Sequence, residues 1–323
     1  MPLYNFEAHK KVKICVIGDM MLDHYINGSC DRISPEAPVQ VVDVSGEFYS
    51  LGGAGNVLKN LLAFGSEGSL ISISGNDDNS QIVTDELQKI SPGFSYLVKD
   101  DQRRTTIKTR VSVNRHQLIR LDKEDKFYCA DAIADDILQF LKTKITTLDA
   151  VILSDYCKGV LSDHLVKNII ALCNENKVIT IVDSKNKDLS KYRGVTVVKP
   201  NKKEASLASG VNIINDNTLE EACRRIADTA ACETVIITLS EDGIAIFNNN
   251  TLIKKPTKAL DVYDVTGAGD TVIAALSFAL ANKLSLSDAC DFANSAAAIV
   301  VAKFGSAVAT LEEINGLYLR LNV

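Results

Sequence analysis

Six short apolar runs recur along this 323-residue chain: Lys13–Ile17, Ser69–Ile73, Ala150–Leu153, Val178–Val182, Thr196–Val198 and Val235–Leu239. Between several of them lie stretches whose apolar residues fall at helical spacing, Val57–Phe64, Ile133–Leu141, Leu165–Cys173 and Leu219–Ala227. A strand that is apolar on both faces has no side to give to water. It must be covered above and below, and the long crossover between parallel strands supplies the covering helix. The alternation therefore predicts an α/β fold, a central and mostly parallel sheet flanked by helices. Two long helices, about Ala268–Leu280 and Leu286–Val301, should close it. Two segments break the pattern. Gln40–Val44 and Thr105–Leu121 read as polar-faced, antiparallel-type strands. They predict a small β-sheet lid, formed by about residues 24–50 and 102–122, inserted in a single domain spanning 1–323.

Charge and cysteine usage narrow the function class. The net charge of −6 and the lack of a Lys/Arg run argue against a nucleic-acid partner. Any phosphate recognition must come from a local site. The eight cysteines are scattered, form no CxxC pair and have no neighbouring His cluster, which predicts reduced thiols rather than zinc ligands. No leader-like apolar segment precedes a cleavage site in Met1–Asp19. The most apolar stretch, Thr271–Ala281, is too short to span a bilayer and reads as a core helix. These features predict a cytoplasmic protein with no membrane partner.

The strongest local signal is Asp264-Val265-Thr266-Gly267-Ala268-Gly269-Asp270. Small residues permit a tight turn whose backbone amides point into one concavity, and a helix that starts there adds positive potential. Gly267, Ala268 and Gly269 would cradle the transferred phosphoryl group. Asp270, in the first helical turn, is expected to be held ionised and to accept a proton from an attacking hydroxyl. Neither a GxxxxGK[ST] loop nor a GxGxxG fingerprint occurs.

DVTGAGD resembles the second signature of the ribokinase-like (PfkB) family of sugar kinases. Gly52-Gly53-Ala54-Gly55-Asn56, opening the helix at Val57–Phe64, resembles the first. The resemblance implies a ribokinase-like fold, ATP as phosphoryl donor and a magnesium ion. It also implies that Gly52, Gly53 and Asn56 meet the sugar. Asp19 and Asp23 after the first strand, with Arg110 and Lys158, are further candidates for substrate binding. Asn201-Lys202-Lys203-Glu204 resembles the family's NxxE motif, in which Asn201 and Glu204 organise magnesium through water near the phosphates. The same pair also has the spacing of a helix cap. Thr238, Ser240 and Gly243 resemble the nucleotide loop, with Ser240 where glycine is usual. Asn294 matches a position near the adenine, or else is a buried polar side chain that caps a neighbour.

A narrower resemblance covers nearly the whole chain. Gly18-Asp19-Met20-Met21-Leu22-Asp23-His24-Tyr25, Arg32-Ile33-Ser34-Pro35-Glu36-Ala37-Pro38, Arg115-His116-Gln117 and Asp155–Gly159 are similar to the branch of that family that phosphorylates O1 of D-glycero-β-D-manno-heptose 7-phosphate. That implies a step towards ADP-heptose and the lipopolysaccharide core. No HxGH motif occurs, so nucleotidyl transfer is not expected. Two other readings stay open, another PfkB-type sugar kinase (ribokinase, fructokinase or 6-phosphofructokinase) and a non-catalytic sugar- or nucleotide-binding protein. The exposed faces and edges of a small lid sheet, like those of relatives with this fold, lead us to expect a homodimer joined through the lids.

Overall fold

The computed structural model describes residues 11–114, 116–258, 262–303 and 305–321. Arg115 and most of the segment on which the leader reading rests lie outside them. One sheet contains β1 (Lys13–Gly18), β4 (Glu67–Gly75), β5 (Ser95–Asp100), β8 (Ala150–Asp155), β9 (Ile179–Ser184), β10 (Val197–Val198), β11 (Thr234–Thr238), β12 (Ile244–Asn248) and β13 (Thr251–Lys255), in the order β13-β12-β11-β10-β9-β8-β1-β4-β5. The seven strands from β11 to β5 pair in parallel, and β12 and β13 close one edge antiparallel. The expected mostly parallel sheet is present.

Strand alternation divides the core into two layers. Ile14 and Val16 point to one face, where α1 (Ala54–Ala63), α7 (Ala268–Ala281) and α8 (Leu286–Val301) pack. Cys15 and Ile17 point to the other, covered by α3 (Asp131–Lys144), α4 (Asp163–Glu175) and α6 (Asp216–Ala230). Each buried Ile, Leu or Val contributes roughly 1.5–3 kcal/mol. Helix α7 is buried nearly all round, which is why its sequence shows no polar face.

The sequence missed or misplaced several elements. Helix α2 (Asp78–Ile90) and strand β5 were not foreseen, because their apolar residues are sparse. The β12–β13 hairpin, reversed at Asn249-Asn250 with both residues at positive φ, was also missed. The two expected closing helices are followed by a third, α9 (Leu311–Leu321). Short α5 (Lys202–Ser209) begins immediately after Asn201.

A second sheet orders its strands β3-β2-β6-β7, with β2 (Met20–Ile33), β3 (Gln40–Gly53), β6 (Ile107–Val113) and β7 (His116–Lys123). Strand β2 starts directly beyond the C-terminal end of β1, and β3 runs straight into α1. The second sheet is thereby anchored at the edge of an α/β sheet where ligands bind. Its outer strand β7 is exposed along its whole length, including Ile119 and Leu121 at 52% and 54% exposure. All eight cysteines are free. Among the described residues no helix is long and apolar enough to cross a membrane.

Candidate active site

The turn before α7 is pinned from both ends. Tyr263 and Asp264 donate their amides to the carbonyl of Val301, at 2.7 and 3.1 Å, where α8 ends. The Asp264 carboxylate accepts from the amides of Thr266 (2.8 Å) and Gly305 (3.0 Å). Gly267 has φ +78°, and a Cβ there would stand 2.7 Å from Asn56 Nδ2. Glycine is required on both counts. The Ala268 amide donates to the Val265 carbonyl at 3.2 Å, and the next amides of α7 have no partner within the helix, so they remain available to an anion.

Asp270 follows in the first turn and is 5% exposed. Asn56 donates to its Oδ2 at 2.9 Å and the Tyr156 hydroxyl to its Oδ1 at 2.5 Å. Burial pushes its pKa up to about 6, with the charge of Asp183 adding and the Tyr156 and Asn56 bonds and Lys185 opposing. Beside the helix N-terminus, which favours the expected carboxylate, desolvation acts in the opposite direction and is the largest influence on its pKa. The Asp270 carboxylate therefore exchanges its proton just below neutral pH. The Tyr156 phenol is pushed well above its ordinary range by burial and by Asp270, so it remains a donor.

The glycines at the end of β3 permit close approach on the other side. A Cβ on Gly52 would lie 2.4 Å from Asp23 Oδ2. Gly53 has φ +56°, and its Cβ would meet the Asp19 carbonyl at 2.4 Å. Asn56, buried at the start of α1, has no partner for Oδ1 among the described residues. Asp23 binds Arg110 at 2.6 Å. Asp19 spends its carboxylate on the 156–160 turn, accepting from the amides of Tyr156 (2.8 Å), Lys158 (3.0 Å) and Val160 (3.0 Å). Lys158 extends to Glu124 at 2.7 Å.

Behind the turn lies a cavity of about 350 Å³, lined by Thr238, Ser240, Gly243, Ala268, Gly269 and Asn294 among others. Ser240 adopts φ +55°, a left-handed backbone that glycine enters at lower cost. Gly243 has φ +90°, and a Cβ would clash with the Lys255 carbonyl at 2.0 Å. Asn294 donates to the Pro256 carbonyl at 3.1 Å while lining the cavity. Asn201 and Glu204 form a full capping box on α5, and Glu204 also pairs with Lys185 at 2.5 Å. Lys202 and Lys203 are exposed on the first turn of α5, outside the cavity lining.

Sequence reading passed over Tyr156, although it lies in the quoted Asp155–Gly159 segment. It also passed over the buried ion pair Asp183–Lys199 (3.0 Å), which lies against Gly269. Both of its members sit at or just beyond strand C-termini, the one signal that could have flagged them. Asp183 Oδ1 is buried without a partner among the described residues.

The family model for pfkB family carbohydrate kinases matches residues 11–313. The bifunctional protein HldE of Helicobacter hepaticus is 48% identical over 305 residues, covering 94% of this chain and 63% of that protein. HldE of Aliarcobacter butzleri is 47% identical over 305 residues, covering 94% and 64%. The chain thus spans just under two thirds of the length of these relatives. Arabidopsis thaliana ribokinase complexed with ribose and ATP superposes with a TM-score of 0.74 at 18% identity, over 95% of this chain and 99% of that one. Escherichia coli phosphofructokinase-2 in complex with substrates and products gives 0.75 at 17%, over 97% and 100%. At such identities the likeness is one of fold.

Proposed function

Because the chain belongs to the pfkB family of carbohydrate kinases, we propose that it transfers the γ-phosphoryl group of ATP to O1 of D-glycero-β-D-manno-heptose 7-phosphate. The observation that carries the reading is the convergence on Asp270 of three motifs far apart in sequence. Its own turn borders the cavity, Asn56 comes from GGAGN, and Tyr156 comes from the segment after β8.

ATP lies in the cavity behind the turn, with its γ-phosphoryl against Gly267, Ala268 and Gly269, whose turn presents the free amides at the start of α7. The sugar lies between Asp270 and the second sheet. Asp270 takes the O1 proton as O1 bonds to phosphorus. The bond from phosphorus to the bridging oxygen breaks, and ADP leaves with the electron pair. The anomeric hydroxyl is more acidic than an ordinary alcohol, which suits a base with a pKa of about 6. Asn56 and Tyr156 hold the carboxylate in one orientation. The turn stabilises charge on the transferred group.

Asn201 and Glu204 would hold magnesium through water, and buried Asp183 Oδ1 offers a further hard oxygen donor. Magnesium keeps several waters and takes few carboxylates, so such a sparse oxygen set suits it. When bound, it supplies charge neutralisation on the phosphates.

Support for the heptose comes from the RISPEAP segment and from the 42–48% identity to HldE proteins along this chain. The product would feed ADP-heptose synthesis for the lipopolysaccharide core in the cytoplasm. Steady-state ADP release on heptose 7-phosphate, fructose 6-phosphate and ribose tests the assignment. The heptose ester should have the highest kcat/KM. A higher value for either competitor would replace the substrate and leave the kinase reading standing.

The same proposal includes a homodimer joined through the second sheets, which act as lids. Strand β7 is an edge strand with Ile119 and Leu121 exposed on one face, a combination that proteins usually cover. Light scattering should give twice the 35.0 kDa chain mass. Ile119→Lys with Leu121→Lys should reduce it to one chain. A monomer before substitution, or a dimer that survives it, rules the interface out.

A further inference from the structure

Tyr156 reaches Asp270 from a turn whose backbone carries strain. The next residue, Cys157, has φ +57°, and Gly159 has φ +93°. A Cβ on Gly159 would stand 1.8 Å from the Phe127 carbonyl. Cysteine enters the left-handed region against the bulk of its own Cβ, so such a residue persists only where its surroundings over-determine it. Asp19 supplies part of that constraint through the amides of Tyr156, Lys158 and Val160. The rest comes from Asp155, Lys191 and Tyr192, which take no part in the transfer itself.

Asp155 ends β8 and is buried. Its Oδ1 accepts from the Cys157 amide at 2.7 Å, which closes the turn over the left-handed residue. Its Oδ2 accepts from the Tyr192 hydroxyl at 2.5 Å and from the Lys191 ammonium at 3.1 Å. Both donors come from the single 3-10 turn Leu189–Tyr192. Lys191 also donates to the Leu161 carbonyl, so one ammonium holds both ends of the 155–161 segment. Tyr192 shares a bond with Ser184 Oγ at 2.7 Å, and the Lys185 amide donates to the Asp155 carbonyl at 2.9 Å. The brace therefore ties the loop that carries Tyr156 to the end of β9, where Asp183 lies.

The side chains of Lys191 and Asp155 are 4% and 2% exposed. Taking two charges out of water costs about as much as their attraction returns, so a buried pair adds little net stability over apolar side chains of the same size. A fully bonded polar network adds a unique arrangement instead, because each donor must meet its acceptor, whereas apolar side chains can repack. We propose that Lys191 and Tyr192, acting through Asp155, are positioning residues that hold the Tyr156 hydroxyl on Asp270 and so keep the carboxylate in its reactive orientation. This rests on the reading of Asp270 as the base of a sugar kinase.

The test compares Lys191→Met and Tyr192→Phe with the wild type, each also in a Tyr156→Phe background, with Tm recorded so that kinetics refer to folded protein. Lys191→Met leaves the Asp155 charge without its counter-ion. If that variant does not fold, Tyr192→Phe, which removes one hydroxyl and keeps the ring, decides alone. For the sugar that wins the turnover panel, kcat should fall about 10- to 100-fold in Lys191→Met and about 3- to 10-fold in Tyr192→Phe, with both KM values within about twofold. In the Tyr156→Phe background the same substitutions should change kcat by less than about twofold, because the group they position is gone. A crystal structure of either variant should show the Tyr156 hydroxyl beyond hydrogen-bond reach of Asp270. Unchanged kcat in a folded variant, a loss undiminished beside Tyr156→Phe, or Tyr156 still bonded to Asp270 overturns the proposal. If the wild type phosphorylates no sugar, the kinase reading falls, and the crystal structures still decide whether the brace holds Tyr156.

Discussion

Asp270→Asn should retain ATP binding and lose ~10²–10⁴ of turnover, the usual cost of removing a general base. The substitution keeps the side-chain volume in a fully packed first turn. It also keeps one acceptor, so either the Tyr156 or the Asn56 bond survives; the amide that replaces the other oxygen cannot accept from the remaining donor. The lost group is the carboxylate that would take the proton, since the Tyr156 phenol bonded to it is held protonated. ADP release measured beside nucleotide titration separates chemistry from binding, and wild-type turnover in Asp270→Asn would sink the assignment.

The pH dependence follows with a definite sign. The Asp270 pKa is raised to about 6, so kcat/KM should fall as pH drops through about 6, where the base becomes protonated. Tyr156→Phe removes a bond that favours the carboxylate and should move this acid limb to higher pH. For stability the sign is opposite. The folded protein holds this proton more tightly than the unfolded chain, so the associated stability is complete below about 3.8 and is lost as pH rises through about 6.

Asp19→Ala should cost about 2–5 kcal/mol of stability and disorganise the site together. The Asp19 side chain is buried and serves three backbone amides of the 156–160 turn. Each buried donor left without an acceptor costs roughly 1–3 kcal/mol, and water entering the gap offsets part of the sum. The same turn carries Tyr156 to Asp270 and Lys158 to Glu124. Thermal unfolding should therefore show a lower Tm, and the remaining folded protein a reduced kcat. Asp19→Asn, which keeps an acceptor, should fall between the two. An Asp19→Ala protein with the wild-type Tm would show that the turn is held by other contacts.

The alternation of apolar runs was enough to establish the layered α/β architecture, because a strand buried on both faces leaves no other solution. The turn at Gly267–Asp270 and the close approach at Gly52-Gly53 were legible for a similar reason. A glycine that must take positive φ, or a helix that must start, is written in a few consecutive residues. The hairpin at Asn249-Asn250 and helix α2 were not legible, since they carry little apolar signal of their own and are stabilised by what they pack against.

Charge partners lay wholly beyond the sequence. Asn56 meets Asp270 across 214 residues, Tyr156 meets it across 114, and Asp19 reaches the Tyr156 amide across 137. Composition shows that carboxylates and lysines exist, not which are desolvated or paired. Only the folded chain decided that the Asp270 carboxylate is buried with its pKa raised to about 6, that Asp19 holds a turn, and that Arg110 opposes Arg120. Burial and distance set these energies, and both arise when strands far apart in sequence come side by side.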